Sequence, residues 1–455
     1  MTAVANTYRL IQNRKIIEGV RKMSVHSWFA GWVERKERYA RTSEKFMSAD
    51  RFGSIGVGIG LPSIVQKSTF SFRNVKDGAD RFLGVSKSGE KPFARIYTRL
   101  GNPTTEYLEK ALFQLDCQHI IDAALAADER KPTIASLVCS SGMGAISCTT
   151  LALVQSGDEI VCGNVYGCTD SFFRTLAKFN IKTHFIDTAD TALVKKTLEE
   201  NPKVAMVFLE TPDNPTLCIS DIEAISKLTQ PRGIPLVVDN TFATPYLQQP
   251  FRLGADIVIQ SLTKYVNGHS TSVAGVVIGP YEFMSDHLFH IYKDFGPTPS
   301  PFDSWLNGQG LQTLHLRMER ACASAVELAL RLEKHPKVEC VHYPGLPSHP
   351  QHDLAKRQMR LPGGMIALEL KDGYAPACRL MDYFASYTTP GELAVSLGSA
   401  ITYFQHPASM THAAVPEADR LKRGITDGLV RISVGLEGVE TLWAAIDEGL
   451  RLAYN

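Results

Sequence analysis

The 455-residue chain is 44% hydrophobic and 21% charged, an ordinary globular composition with enough apolar material for a large core and about two or three domains. A formal net charge of +1 supplies no whole-chain field for nucleic acid or an anionic membrane surface. The longest apolar runs, such as Val273–Ile278, fall far short of a membrane span. The opening residues lack the pattern of a secretory signal, so none is expected. Nine dispersed cysteines without a Cys-x-x-Cys pair read as reduced thiols in a cytoplasmic setting. The thirteen histidines lack metal-ligand spacing, so no metal is expected. His269, His406 and His412 lie near motifs and read as satisfied core or loop residues.

Taken in chain order, residues 1–50 hold ten Lys/Arg and five acids. They read as a helical extension with a mixed charged face, packed on a partner subunit, against a nucleic-acid arm or a transit peptide. From about residue 130, short apolar runs alternate with amphipathic segments. Strands are predicted over Ile134–Cys139, Glu159–Cys162, Thr183–Ile186, Val204–Glu210, Pro235–Asp239 and Asp256–Gln260, with helices such as Ala192–Glu200 and Asp221–Leu228 between them. That alternation predicts a largely parallel sheet covered by helices, with ligands at the carboxyl ends of its strands. Asp239, Glu210 and Ser261–Lys264 fall at those ends. Pro297–Pro301 reads as a rigid connector. Beyond it come a long helix over Leu314–Lys334, a strand over Met365–Leu370 and a closing helix over Thr441–Tyr454.

Several of these segments carry chemistry. Ser140–Ala145 follows a strand and opens a helix, where free amides beside glycines bind phosphate or simply make a tight turn. Tyr166, after the next strand, can stack on a flat ring and pass a proton, or be a core aromatic. Asn214, in the loop Glu210–Thr216, can donate to a ring oxygen. Asp239 ends an apolar run 25 positions before Lys264. Lys264 follows a short strand and the hydroxyls of Ser261 and Thr263. A lysine for an aldehyde, an acid for a ring nitrogen and donors for a phosphate are the groups that pyridoxal phosphate requires. Arg431 stands alone in an apolar strand. Burying it costs too much without an internal acid partner or a ligand carboxylate, and both remain open.

Together, Tyr97–Thr104, Ser141-Gly142-Met143, Tyr166-Gly167, Glu210–Pro215, Asp239-Asn240-Thr241, Ser261–His269, Pro407–His412 and Arg431–Glu437 resemble the Cys/Met-metabolism family of pyridoxal-phosphate enzymes, the γ-synthase and γ-lyase group of transsulfuration. The similarity spans roughly residues 60–455. It implies a fold-type-I α/β architecture with a mainly parallel seven-stranded sheet, and three parts: an N-terminal extension and arm (1–102), a large cofactor-binding domain (103–312) and a smaller α/β C-terminal domain (313–455). Lys264 would be the Schiff-base lysine and Asp239 the partner of the ring nitrogen. Gly142, Met143, Ser261 and Thr263 would bind the phosphate, with Asn214 and Thr241 as further cofactor contacts. Tyr97 and Arg99 would reach the neighbouring subunit's phosphate, making the site a property of a homodimer within a homotetramer. Tyr166 would stack on the ring and act as acid and base. Arg431 and Ser396 would hold the carboxylate of a small amino-acid substrate. Cys168, Lys293, Asp294 and Val395 resemble the methionine γ-lyase branch.

The resemblance implies a γ-substituted 2-aminobutyrate that passes through a vinylglycine-type intermediate to 2-oxobutyrate and ammonia. The alternative is γ-replacement, with a nucleophile adding at Cγ. Thr271 and the run Ser399–Phe404 depart from positions where the family carries acids, and residues 118–133 look like an insertion. These departures fit a specialised enzyme that takes an unusual nucleophile.

Overall fold

Alternation along the apolar runs builds the larger sheet. In the computed structural model, which describes residues 62–82, 96–126, 134–386, 390–413 and 415–455, every residue of strand β4 (Val204–Glu210) is buried. Met206 and Phe208 point into one core layer, and Val207 and Leu209 into another on the opposite face. A strand buried on both faces needs helices on both sides, and each fully buried Val, Leu or Phe contributes about 1.5–3 kcal/mol.

The described chain begins with α1 (Val75–Phe82) and α2 (Pro103–Ala126). It continues through β1 (Ile134–Cys139), α3 (Gly142–Leu153), β2 (Glu159–Cys162), α4 (Gly167–Thr175), β3 (Lys182–Phe185) and α5 (Thr191–Glu200). After β4 come α6 (Ile222–Thr229), β5 (Leu236–Asp239), α7 (Thr244–Leu247), β6 (Ile257–Ser261) and β7 (Gly275–Pro280). These strands form one seven-stranded sheet in the order β1-β7-β6-β5-β4-β2-β3. Ile146 of α3 and Phe173 of α4 pack with Phe208 on one face; Val194 of α5 and Ile225 of α6 pack with Val207 on the other.

The sheet is parallel except at β7, which runs antiparallel to both neighbours. By sequence Val273–Ile278 is only an apolar run, with nothing to mark its direction. The turn from Ser261 to Gly275 carries Lys264 and holds no crossover helix, so the chain returns beside β6 in the opposite sense.

The chain then passes through α8 (Phe289–Phe295) and α9 (Pro301–Gln312). Pro301, at the end of the expected connector, is the first residue of α9, which Ser300 caps through the Asp303 amide at 3.0 Å. Next come α10 (Leu314–Leu332), β8 (Val338–His342), α11 (His352–Gln358), β9 (Met365–Leu370) and α12 (Tyr374–Phe384). The chain closes with β10 (Glu392–Leu393), β11 (Tyr403–Gln405), α13 (Glu417–Lys422), β12 (Leu429–Ser433) and α14 (Val439–Ala453). A second sheet has the order β10-β11-β12-β9-β8. Val430 and Ile432 of β12 face its core, shared with α10, α12 and α14. Alternation therefore turns Arg431 and Ser433 to the other face, toward the larger sheet.

The expected extension over residues 1–50 lies outside the described residues. The expected insertion at 118–133 begins inside α2, and residues 127–133 also lie outside the described residues. Among the described residues no helix is long and apolar enough to cross a membrane. No group of three or more His, Cys, Asp or Glu side chains there could hold a metal ion.

Candidate active site

The carboxyl ends of β4, β5 and β6 meet the N-terminus of α3 at a cavity of about 230 Å³. β4 brings Glu210, β5 brings Asp239, and β6 brings Ser261, followed by Thr263 and Lys264. Residue pairing sets Glu210 beside Asp239 and Asp239 beside Ile259, so the acids end level across the sheet. The far wall comes from the second half of the chain, with Val395, Ser396, Leu397, Thr411 and Arg431.

Lys264 Nζ donates to Ser396 Oγ at 2.6 Å. Burial, reinforced by the Arg431 charge, brings this amine down to about 8. Asp239 is buried, and Thr241 supplies both its amide (3.0 Å) and its hydroxyl (2.5 Å) to Oδ1. The Thr241 hydroxyl oxygen also accepts from Ser261 N at 2.8 Å, which ties β5 to β6. Burial pushes the Asp239 carboxyl up to about 6 despite those donors. Glu210 accepts from the Tyr166 amide at 2.8 Å. Burial and then the Asp239 charge push Glu210 up as well.

Arg431 is buried, and its partners are neutral. Nη1 donates to Asn214 Oδ1 at 2.8 Å and Nη2 to the Ser396 carbonyl at 2.9 Å. No carboxylate reaches it closely enough to form an ion pair among the described residues. Each terminal nitrogen keeps a second N–H, so the guanidinium fork stays available for a ligand carboxylate. Ser396 adopts φ +91°, a left-handed conformation rare for a side-chain-bearing residue.

Tyr166 precedes α4 as its N-cap residue and lines the cavity. Burial, and then the neighbouring Cys168 thiol, push its hydroxyl up to about 12. Cys168 itself is exposed and outside the cavity lining. Lys293 and Asp294 pair with each other at 3.2 Å on α8, also outside it. Tyr97 and Arg99 line a separate surface recess with Lys67, Thr98 and Thr298. The Arg99 guanidinium donates to the Lys293 carbonyl and lies 5.7 Å from the Tyr97 ring centre. Thus Gly142, Met143, Tyr166, Asn214, Asp239, Thr241, Ser261, Thr263, Lys264, Val395, Ser396 and Arg431 converge, whereas Tyr97, Arg99, Cys168, Lys293 and Asp294 do not enter this chain's cavity.

The expected site residues omit several lining groups. Glu210 is marked in the sequence only as a strand end. Ser141 and Thr411 sit inside motifs quoted for other residues, and nothing in the local pattern distinguishes Val273 or Phe242 from core positions. Of the two departures, Thr271 bonds Asn267 through its amide and hydroxyl. Thr402 is held by Glu437, through its amide at 2.7 Å and its hydroxyl at 2.8 Å. Of the three histidines, His269 and His406 have backbone or hydroxyl partners. His412 Nδ1 lies 3.0 Å from the Thr411 hydroxyl.

These residues fit pyridoxal phosphate. Ser141 caps α3, leaving the first helical amides, those of Gly142 and Met143, directed outward. A Cβ on Gly142 would stand 2.8 Å from the Ser261 Cβ, so only glycine leaves the backbone open there. The Ser261 and Thr263 side chains line the same end, although the Thr263 hydroxyl also bonds both the amide and the carbonyl of Ala274. Asp239 lines the cavity, with Oδ2 free of Thr241.

Comparison with known proteins agrees. A family model described as "Cys/Met metabolism PLP-dependent enzyme" matches residues 55–451. An L-methionine gamma-lyase of Fusobacterium nucleatum subsp. polymorphum is 44% identical over 392 residues, covering 85% of this chain and 92% of that protein. A cystathionine gamma-lyase of Mus musculus is 42% identical over 362 residues, covering 79% and 85%. The crystal structure of a cystathionine gamma synthase from Xanthomonas oryzae pv. oryzae, in complex with cystathionine, superposes with a TM-score of 0.80 at 34% identity, covering 92% of this chain and 99% of that one.

Proposed function

This chain belongs to the Cys/Met metabolism family of PLP-dependent enzymes, and from that membership we propose that it carries out γ-elimination on a γ-substituted 2-aminobutyrate, methionine foremost. The observation that favours this substrate is Val395. Its half-exposed apolar side chain stands in the cavity wall next to Ser396, where a thioether tail gains contact and a distal ammonium group gains none.

When bound, the cofactor supplies a cationic ring that accepts electron density from the amino acid's Cα. The residues do the rest. Arg431, oriented by Asn214 and the Ser396 carbonyl, grips the substrate carboxylate. Asp239 keeps a proton on the ring nitrogen. Lys264 Nζ, held by Ser396 and depressed toward neutrality, removes the Cα proton and, in a second transfer, the Cβ proton whose bonding electrons expel the γ-sulfur. Tyr166 keeps its proton at neutral pH and gives it to the departing sulfur as the Cγ–S bond breaks. Addition of water then yields 2-oxobutyrate, ammonia and a thiol.

Because Tyr97 and Arg99 lie away from this cavity, we assign them to the phosphate of a neighbouring subunit in a homodimer, itself half of a homotetramer. The division at 102 and 312 belongs to the same reading. It is supported by the separate seven- and five-stranded sheets. A cytoplasmic location fits nine cysteines that are all free.

The test is incubation with L-methionine and, separately, with an O-acyl homoserine, each with and without an added thiol. The expected result is 2-oxobutyrate from methionine alone. Absence of 2-oxobutyrate from every substrate alone, with thioether formed only when thiol is added, would replace elimination by γ-replacement.

A further inference from the structure

Three buried amide side chains sit just behind the cavity with no part in the chemistry above. Gln248, after α7, donates through Nε2 to the Thr211 carbonyl and to Asn240 Oδ1, each at 2.9 Å. Asn240 Nδ2 donates back to the Gln248 carbonyl at 3.0 Å. Gln358, the last residue of α11, donates through Nε2 to Gln248 Oε1 at 3.0 Å and to the Ser220 carbonyl at 3.1 Å. Its Oε1 accepts from Ile222 N at 3.2 Å. The three side chains are 0–8% exposed, and each of their amide oxygens and nitrogens has a partner. A fully satisfied polar network in a dry interior fixes geometry more sharply than apolar packing does.

What the network joins gives it meaning. Asn240 follows Asp239 directly. Thr211 opens the turn that ends at Asn214, the partner of Arg431. Gln358 reaches Gln248 and Ser220 from 110 and 138 positions along the chain, and through Gln248 the ends of β4 and β5.

We propose that Asn240, Gln248 and Gln358 are positioning residues that set the spacing between Asp239 and the Asn214–Arg431 pair, so that ring and substrate carboxylate are gripped together. This rests on the reading of the cavity given under Proposed function.

The test is Gln358→Met, which keeps length and removes the hydrogen bonds, with Gln358→Glu as a second variant that keeps the acceptor and removes the donor. Arg357→Ala is the control: it removes a 2.6 Å surface ion pair with Asp221 from the same helix and leaves the network intact. Pyridoxal phosphate is titrated into stripped enzyme and followed by visible absorbance and by circular dichroism of the bound cofactor. Both Gln358 variants should bind it at least about tenfold more weakly, with an altered dichroic band and a raised KM. Arg357→Ala should match the parent. Parental cofactor affinity and dichroism in either folded Gln358 variant would overturn the proposal, as would an equal defect in Arg357→Ala. If Gln358→Met does not fold, Gln358→Glu decides. Failure of the parent itself to take up pyridoxal phosphate would instead sink the reading of the site.

Discussion

Lys264 is the residue we assign to the cofactor aldehyde, and its surroundings set the pH at which its amine is free to react. Burial disfavours the ammonium form, and Arg431 adds repulsion; together they outweigh the attraction of Asp239 and bring the amine to about 8. Below that pH, Nζ is protonated and has no lone pair for the cofactor aldehyde. Above it, the neutral amine dominates. The rate at which stripped enzyme attaches pyridoxal phosphate should therefore rise with pH through about 8 and then level, as followed by absorbance after mixing. A rate that keeps climbing to pH 10 would mean that the amine is not depressed at all. Sequence singled out Lys264 because a short apolar strand runs into two hydroxyls and a lysine, and the structure places it in the cavity. Sequence did not reveal Ser396 as the lysine's hydrogen-bond partner, because that contact spans 132 positions and depends on a backbone conformation no local pattern encodes.

At the scale of elements, the site is a set of ends: β4 and β5 stopping level, β6 running two residues further to Ser261, and one helix beginning opposite them. The strands were legible because both faces of the sheet are covered, so each strand is a continuous apolar run. β7 was not legible as an antiparallel strand, since direction is decided by the connection and not by composition. The start of α3 was legible from Ser141 and its glycines. What only the structure gives is the tolerance there: the hypothetical Cβ at Gly142 meets Ser261 at 2.8 Å, closer than carbon atoms pack. Gly142→Ala should therefore push Ser261 aside and intrude on the phosphate end. Overpacking of this kind costs about 1–3 kcal/mol, which would weaken cofactor binding by about fivefold to 150-fold if it falls on the bound state. Helix content should not fall, because alanine is the better helix former. Far-UV circular dichroism and a cofactor titration measure the two sides. Unchanged affinity with a native spectrum would show that the phosphate lies elsewhere.

Across the whole molecule, the cavity is a seam between two sheets. Lys264 and Asp239 come from the larger sheet, and Ser396 and Arg431 from the smaller side, joined at Lys264 Nζ–Ser396 Oγ and Arg431–Asn214. The segment carrying Ser396 is tied to both. Gly398 N donates to Ser433 Oγ at 2.8 Å, and Ala400 N donates to the Gly268 carbonyl at 3.0 Å. A ligand that touches both walls stabilises both, by about 2.7 kcal/mol when free ligand stands at a hundred times its dissociation constant. Pyridoxal phosphate added to stripped enzyme should therefore raise the unfolding temperature in a concentration-dependent way. It should also slow amide exchange at Gly398 and Ala400 as well as in β5 and β6, because opening either wall then requires releasing the ligand. In Asp239→Asn, which removes the carboxylate we assign to the ring nitrogen, both effects should shrink together. Slowing confined to β5 and β6, with Gly398 and Ala400 exchanging as before, would mean that the cofactor rests on the larger sheet alone and that the second wall closes only over substrate.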